Sequence, residues 1–300
     1  MNCAVQERTI QGPIPYRGVS RCLLMRWQAF TLVALIGLLY GSILWNLVGQ
    51  WWTDPNFSHG FFVPMFSAFV VWRDRERLAQ IPIRQSWLGL PVIVAALMTL
   101  VVGVLGAEFF LSRSSLIVLL GGLIIYFAGW RLFQALLFPW LFLFLMIPIP
   151  SIVFNQITLP LQFLASRFAA DVLRVLGVPV LREGNVIRLP SMPLEVAEAC
   201  SGIRSLMSLG TMAIIYGYLV DNKLWRRVVL VLVAVPIAVA ANATRIVGTG
   251  LTVQYWDPDK GQGFFHEFSG WLIFIVSLTL LVAFHWVLRR FDKSSPRQTA

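Results

Sequence analysis

Phe268-Ser269-Gly270-Trp271-Leu272-Ile273-Phe274-Ile275-Val276-Ser277-Leu278-Thr279-Leu280-Leu281-Val282-Ala283-Phe284-His285-Trp286-Val287-Leu288 contains no Asp, Glu, Lys or Arg, and Arg289-Arg290 follow it at once. An apolar run of this length closed by a basic pair reads as a helix that crosses a bilayer and stops at its surface. Similar runs recur back to Gln28. The composition agrees. The 300 residues are 58% hydrophobic and 13% charged, with a mean hydropathy of +0.75. Soluble domains carry about 25% charged residues. A soluble enzyme, a secreted disulfide scaffold and a disordered chain are excluded. Eight spans are expected, near 29–48, 59–72, 88–106, 115–130, 132–148, 203–220, 228–248 and 268–288. The fold class is an all-α polytopic membrane protein. A basic tail (1–27), a membrane domain (28–290) and a second tail (291–300) divide the chain.

The formal net charge is +10, and its distribution assigns it to topology rather than to nucleic acid. Arg8, Arg17, Arg21 and Arg26 precede the first span. Arg73, Arg75, Arg77 and Arg84 follow the second, and Arg131 marks the tight turn after the fourth. Lys223, Arg226 and Arg227 join spans six and seven, and Arg289, Arg290, Lys293 and Arg297 close the chain. These are 16 of the 24 basic residues, and in this topology all lie on one side. The positive-inside rule then puts both termini in the cytoplasm. The first apolar run is too long for a signal peptide and is expected to remain as an uncleaved span.

Segment 149–202 falls on the outer side. Residues 161–176 predict an amphipathic helix in the interface plane, with Leu164, Phe168, Val172, Leu173 and Leu176 on one face and Gln162, Arg167, Asp171 and Arg174 on the other. Two β-prone runs around Glu183-Gly184-Asn185 predict a small hairpin.

The residues able to do chemistry fall on that same side. Cys200 stands at the expected start of span six, where the helix dipole and free N–H groups favour a thiolate. Arg204 is one turn on. A lone cysteine is also commonly a small apolar filler. Arg245 lies inside an apolar span, where an arginine costs ~2.5–3.5 kcal/mol at the bilayer centre. It falls about 26 Å along a ~30 Å core, so a snorkelling role competes with a functional one. Asn242 precedes it by one turn. His266 stands just before the last span. His59, in Asn56-Phe57-Ser58-His59-Gly60, competes with it, whereas His285 reads as packing. A Cys, a His and an Arg on one surface suit acyl transfer from a peptide: nucleophile, proton carrier and oxyanion partner. Metal binding fits worse, because no HxxxH, HExxH or second outer cysteine is present, and no cofactor is expected. Cys3 and Cys22 lie in the N-terminal tail.

The stretch Glu195-Val196-Ala197-Glu198-Ala199-Cys200-Ser201-Gly202-Ile203-Arg204-Ser205 resembles the active-site signature of the exosortase/archaeosortase family. Asn242-Ala243-Thr244-Arg245-Ile246, the Trp51…Asp54…Phe57-Ser58-His59-Gly60 loop and the Gly-Asn-Val-Ile…Leu-Pro approach to the cysteine resemble it too, over roughly residues 25–290. The resemblance implies a bacterial inner-membrane cysteine protease/transpeptidase with Cys200, Arg245 and His266 as its catalytic set on the outer face. Arg204, Asn242, His59 and Ser201 would support it or bind substrate. It implies membrane-anchored substrates of the PEP-CTERM type, with a Pro-Glu-Pro motif, a transmembrane helix and a basic cluster, and a link to exopolysaccharide systems. The rival reading is a non-catalytic membrane subunit of polysaccharide assembly or transport, in which Arg245 and the outer loops bind an anionic glycan.

Overall fold

The computed structural model describes residues 17–190, 193–195, 203–255 and 264–291, with the backbone alone at 17–26, 28–29, 195 and 264–269. The chain divides into two compact units, Met1–Asn46 and Leu47–Ala300. Helix α1 (Arg17–Thr53) supplies all the described residues of the first. Its apolar part, Phe30–Thr53, is long enough to span a bilayer, while the helix itself starts at Arg17, well inside the 1–27 tail that the sequence suggested. The second unit contains α2 (Phe62–Arg73), α3 (Arg75–Ala79), α4 (Gly89–Leu105), α5 (Phe109–Ala128), α6 (Trp130–Ala135), α7 (Leu137–Phe142) and α8 (Ser151–Val175). Strands β1 (Leu181–Glu183), β2 (Val186–Arg188) and β3 (Pro193–Glu195) follow, then α9 (Ile203–Val220), α10 (Leu224–Tyr255) and α11 (Phe264–Phe291).

This is an all-α, multi-pass membrane protein with one small sheet. Among the described residues, five helices are long and apolar enough to cross a membrane, or six if the pair Leu137–Met146 and Ser151–Val175, bent by 78°, is one broken span. The eight expected spans differ from this in definite places. Residues 59–72 form a 3-10 turn, Ser58–Phe61, and then the 12-residue α2. At 1.5 Å per residue α2 is about 18 Å long, short of a ~30 Å core. The expected span 132–148 is broken into α6, α7 and a 3-10 turn, Leu143–Met146. Pro148 and Pro150 lie in the bend that follows, where proline withholds an N–H. The fourth span begins at Phe109 rather than 115, which brings Arg113 into the helix.

Helix α10 is the axis that positions the site. On one side Leu230, Ala234 and Ala238 pack with Leu209 and Ala213 of α9 and Leu281 of α11, all nearly inaccessible. On the other, Ile246 and Val253 pack with Ala165, Ala169 and Leu173 of α8 and with Ile187 and Leu194 of the sheet. The expected interfacial helix is thus part of a 25-residue helix packed along α10. Its small residues face the protein, and Leu164 and Phe168 stay more than half exposed. The expected hairpin is present: Arg182 pairs with Ile187 and Glu183 with Val186 across Gly184-Asn185. The third strand extends it, with Ile187 opposite Leu194.

The basic loops gather around Tyr218. The Arg73 and Arg227 guanidinium groups lie 5.5 Å and 4.9 Å from its ring, and Phe138 stacks on it at 3.9 Å. Beside them His285, expected to be packing, holds Asp221. Its Nε2 donates to Asp221 Oδ2 at 2.9 Å and its Nδ1 pairs with the Tyr216 hydroxyl at 2.9 Å. Arg226 Nη1 donates to the same carboxylate oxygen at 3.0 Å. A helix-interior histidine reads as filler because the sequence does not show that the α9–α10 turn returns an aspartate to it.

Candidate active site

The loop between α1 and α2 is folded by its own polar groups. The Asp54 side chain accepts from the Asn56 N–H at 2.9 Å, and the Phe57 and Gly60 N–H groups donate to Asp54 O and Phe57 O at 3.0 and 2.9 Å. Trp51 locks the turn. Its Nε1 donates to Met146 O at 2.9 Å, and its ring lies where any side chain at Gly60 would stand.

These contacts bury His59, which is 5% exposed. Its Nε2 is 3.3 Å from Leu145 O. A carbonyl only accepts, so Nε2 carries the proton there. Nδ1 makes no hydrogen bond of good geometry among the described residues. Burial pushes the imidazole below its ordinary range, outweighing the opposing pull of the Leu145 and Asn56 carbonyls. At neutral pH His59 is therefore a neutral ring with a lone pair on Nδ1.

His59 opens onto a cleft of about 730 Å³ that is also lined by Arg204, Ser205 and Ser208 of α9, Arg245 of α10, and Gly270 and Trp271 of α11. Arg204, the second residue of α9, donates from Nε to Asn56 Oδ1 at 3.4 Å, which ties the helix to the His59 loop. Arg245 is 8% exposed. Its guanidinium lies against Gly270 of α11, where an added Cβ would stand 3.6 Å from Cζ and Nη2, an ordinary contact distance. Asn242, one turn before, is 2% exposed. The cleft therefore brings two arginines and a histidine together from three separate elements.

Cys200 and Ser201 lie outside the described residues, and the His266 side chain is likewise not described. The backbone fixes sequence positions only: α9 opens three residues after Cys200, and position 266 precedes Gly270 by one turn of α11. Reading the sequence missed Ser205 and Ser208. The signal was available, because Arg204, Ser205 and Ser208 share one stripe of an otherwise apolar helix. Among the described residues no three His, Cys, Asp or Glu side chains gather closely enough to hold a metal ion.

Two arginines and a neutral imidazole in one cleft can bind an anion, stabilise a developing negative charge and move a proton. No curated protein and no solved structure matches the chain. The family described as transmembrane exosortase (Exosortase_EpsH) matches residues 51–283, a stretch that takes in the His59 loop, the cysteine segment, Arg245 and most of α11, and the chain belongs to that family.

Proposed function

We propose that this exosortase is a cysteine protease/transpeptidase that removes C-terminal sorting signals from membrane-anchored proteins at the outer face of the bacterial inner membrane. The observation that carries the reading is the cleft shared by His59, Arg204 and Arg245, next in sequence to the cysteine segment.

In this mechanism Cys200 Sγ, as thiolate, attacks the scissile carbonyl carbon. The carbonyl π pair moves to oxygen, and Arg245 stabilises that oxyanion. The tetrahedral adduct collapses, the C–N bond breaks, and a protonated histidine gives its proton to the leaving amine. A thioester remains. Water or an acceptor amine, deprotonated by the same histidine, then attacks it and releases the Cys200 thiolate. His266 is the assigned proton carrier. His59, which lines the same cleft, is the alternative for that step, and Asn242 and Ser201 support the set. Arg204 suits the acidic residue of a Pro-Glu-Pro motif. The substrate's own helix and basic tail would hold that motif at the membrane surface. The link to exopolysaccharide systems belongs to this same reading.

Co-expression with a Pro-Glu-Pro tailed membrane protein, followed by mass analysis of its new C-terminus, tests it. We expect a defined truncation or adduct with the wild-type chain and none with Cys200→Ala. Wild-type processing by Cys200→Ala, or an intact substrate with both, favours the non-catalytic polysaccharide subunit. The pair His59→Gln and His266→Gln identifies the proton carrier by which of the two abolishes processing.

A further inference from the structure

A second buried cation lies outside that cleft. Arg113, in the second turn of α5, is 6% exposed. Its Nη1 donates to a neutral partner, Gln50 Oε1, at 2.7 Å. Its guanidinium carbon lies 5.4 Å from the Phe109 ring. Its Nε is buried without a hydrogen-bond partner among the described residues, and no ion pair among them includes it. A buried charge without a counter-ion is costly, and one inside a membrane helix marks a binding site by default.

Arg113 lines a cleft of about 580 Å³ with Asp54, Glu108, Ser151 and Asn155. Neither acid forms an ion pair with it among the described residues. Asp54 accepts from the Asn56 N–H at 2.9 Å and Glu108 from the Phe110 N–H at 3.2 Å. Ser151 is the first residue of α8, so unsatisfied helix N–H groups are at hand for an anion. Phe109 of the lining is 62% exposed, and Trp52, Leu105 and Ile152, within two residues of lining positions in sequence, are 82%, 82% and 71% exposed. A polar cleft with an exposed apolar rim, tryptophan included, is placed where headgroups meet acyl chains.

We propose that this cleft binds the headgroup of a zwitterionic phospholipid, with the phosphate on Arg113 and the ammonium between Asp54 and Glu108. The guanidinium fork suits a phosphate. The acids disfavour a headgroup of net negative charge, and neither a free anion nor a peptide carboxylate uses the apolar rim. The site is distinct from the His59 cleft. Asp54, Asn56 and Phe57 line one, and Pro55, Ser58 and His59 line the other. Whether the chain is a protease does not enter.

The test uses the full chain in detergent, with dihexanoyl phosphatidylethanolamine as probe and melting midpoint and native mass spectrometry as readouts. We expect saturable stabilisation and a retained lipid. Arg113→Gln should weaken binding roughly tenfold or more, the range of a charge-assisted hydrogen bond, and Arg113→Lys should weaken it less. Asn155→Trp blocks the cleft from an exposed helix position, leaves the arginine intact, and should also abolish the effect, so the proposal stays testable if Arg113→Gln fails to fold. Unchanged binding in Arg113→Gln or Asn155→Trp overturns the proposal. So does an equal effect from dihexanoylglycerol, inorganic phosphate or an acidic peptide, or tighter binding of dihexanoyl phosphatidylglycerol.

Discussion

Arg245 and Arg204 reach one cleft from neighbouring helices, yet they are held differently. Arg245 is 8% exposed and rests against Gly270. Arg204 is half-buried and reaches the side-chain amide of Asn56 at 3.4 Å. A buried guanidinium in fixed surroundings can present a planar fork to a developing charge, which a lysine ammonium cannot copy. If Arg245 stabilises the oxyanion, Arg245→Lys should be nearly as damaging as Arg245→Ala. Losing one such donor costs ~2.7–4 kcal/mol, about a hundred- to a thousandfold in rate. Arg204→Lys should be milder. The rate of substrate tail removal in membranes with matched enzyme levels measures both, and near-normal processing by Arg245→Lys would return that residue to a snorkelling role. The sequence made Arg245 conspicuous because a charge in an apolar span stands out by composition alone. It left the choice between function and snorkelling open, because burial depends on where α9 and α11 pack. Arg113 passed unnoticed for a related reason: only the observed start of α5 at Phe109 takes it into the helix.

Among the elements, the long uniform helices were legible and the broken ones were not. Spans six to eight appear as α9, α10 and α11, because sustained apolarity needs no tertiary information. The segment 130–150 looks equally apolar, but its course is set by local breaks. Gly129, at φ +94°, separates α5 from α6, and the Arg84 carbonyl occupies the space where a Cβ at 129 would stand. Gly129→Ala should therefore cost about 1–3 kcal/mol for the left-handed backbone, with a further loss as the 84–86 loop is pushed away. A melting midpoint in detergent equal to wild type would show that the turn does not need glycine. The Asp221 contacts predict a pH dependence for the α9–α10 turn. Burial pushes the carboxyl up, but the hydrogen bonds from His285, the Lys223 N–H and Arg226 outweigh it and hold the value at about 2. The unfolded value is about 3.9. The folded pKa is the lower one, so the stabilisation is complete above ~4 and is lost as pH falls towards 2. The difference in melting midpoint between wild type and Asp221→Asn should be constant above pH 4 and shrink below it. A difference that stays constant down to pH 2 would remove Asp221 from the acid response.

For the molecule in its membrane, the question is which end faces the cytoplasm. The basic loops after α2 and before α10 meet at Tyr218, with Arg73 and Arg227 both over its ring. The His59 cleft is at the other end of the same helices. Arg204 precedes Tyr218 by 14 residues of α9, about 21 Å, and Arg245 follows Arg226 by 19 residues of α10, about 28 Å. The longer of these separations is close to the ~30 Å of a bilayer core and the shorter covers about two thirds of it. The cluster of basic loops and the cleft lie at opposite ends of α9 and α10, and the Lys/Arg count gives an expected orientation for both. We expect both termini and the Tyr218 end in the cytoplasm and the cleft outside. In a chain with Cys3, Cys22 and Cys200 all replaced by alanine, Asn185→Cys and Thr252→Cys should react with an impermeant thiol reagent in intact cells. Gln80→Cys should react only after permeabilisation. Labelling of Gln80→Cys in intact cells would invert the molecule. The cleft would then face the cytoplasm, and a protease acting on exported, membrane-anchored substrates would be excluded, whatever the chemistry of its residues.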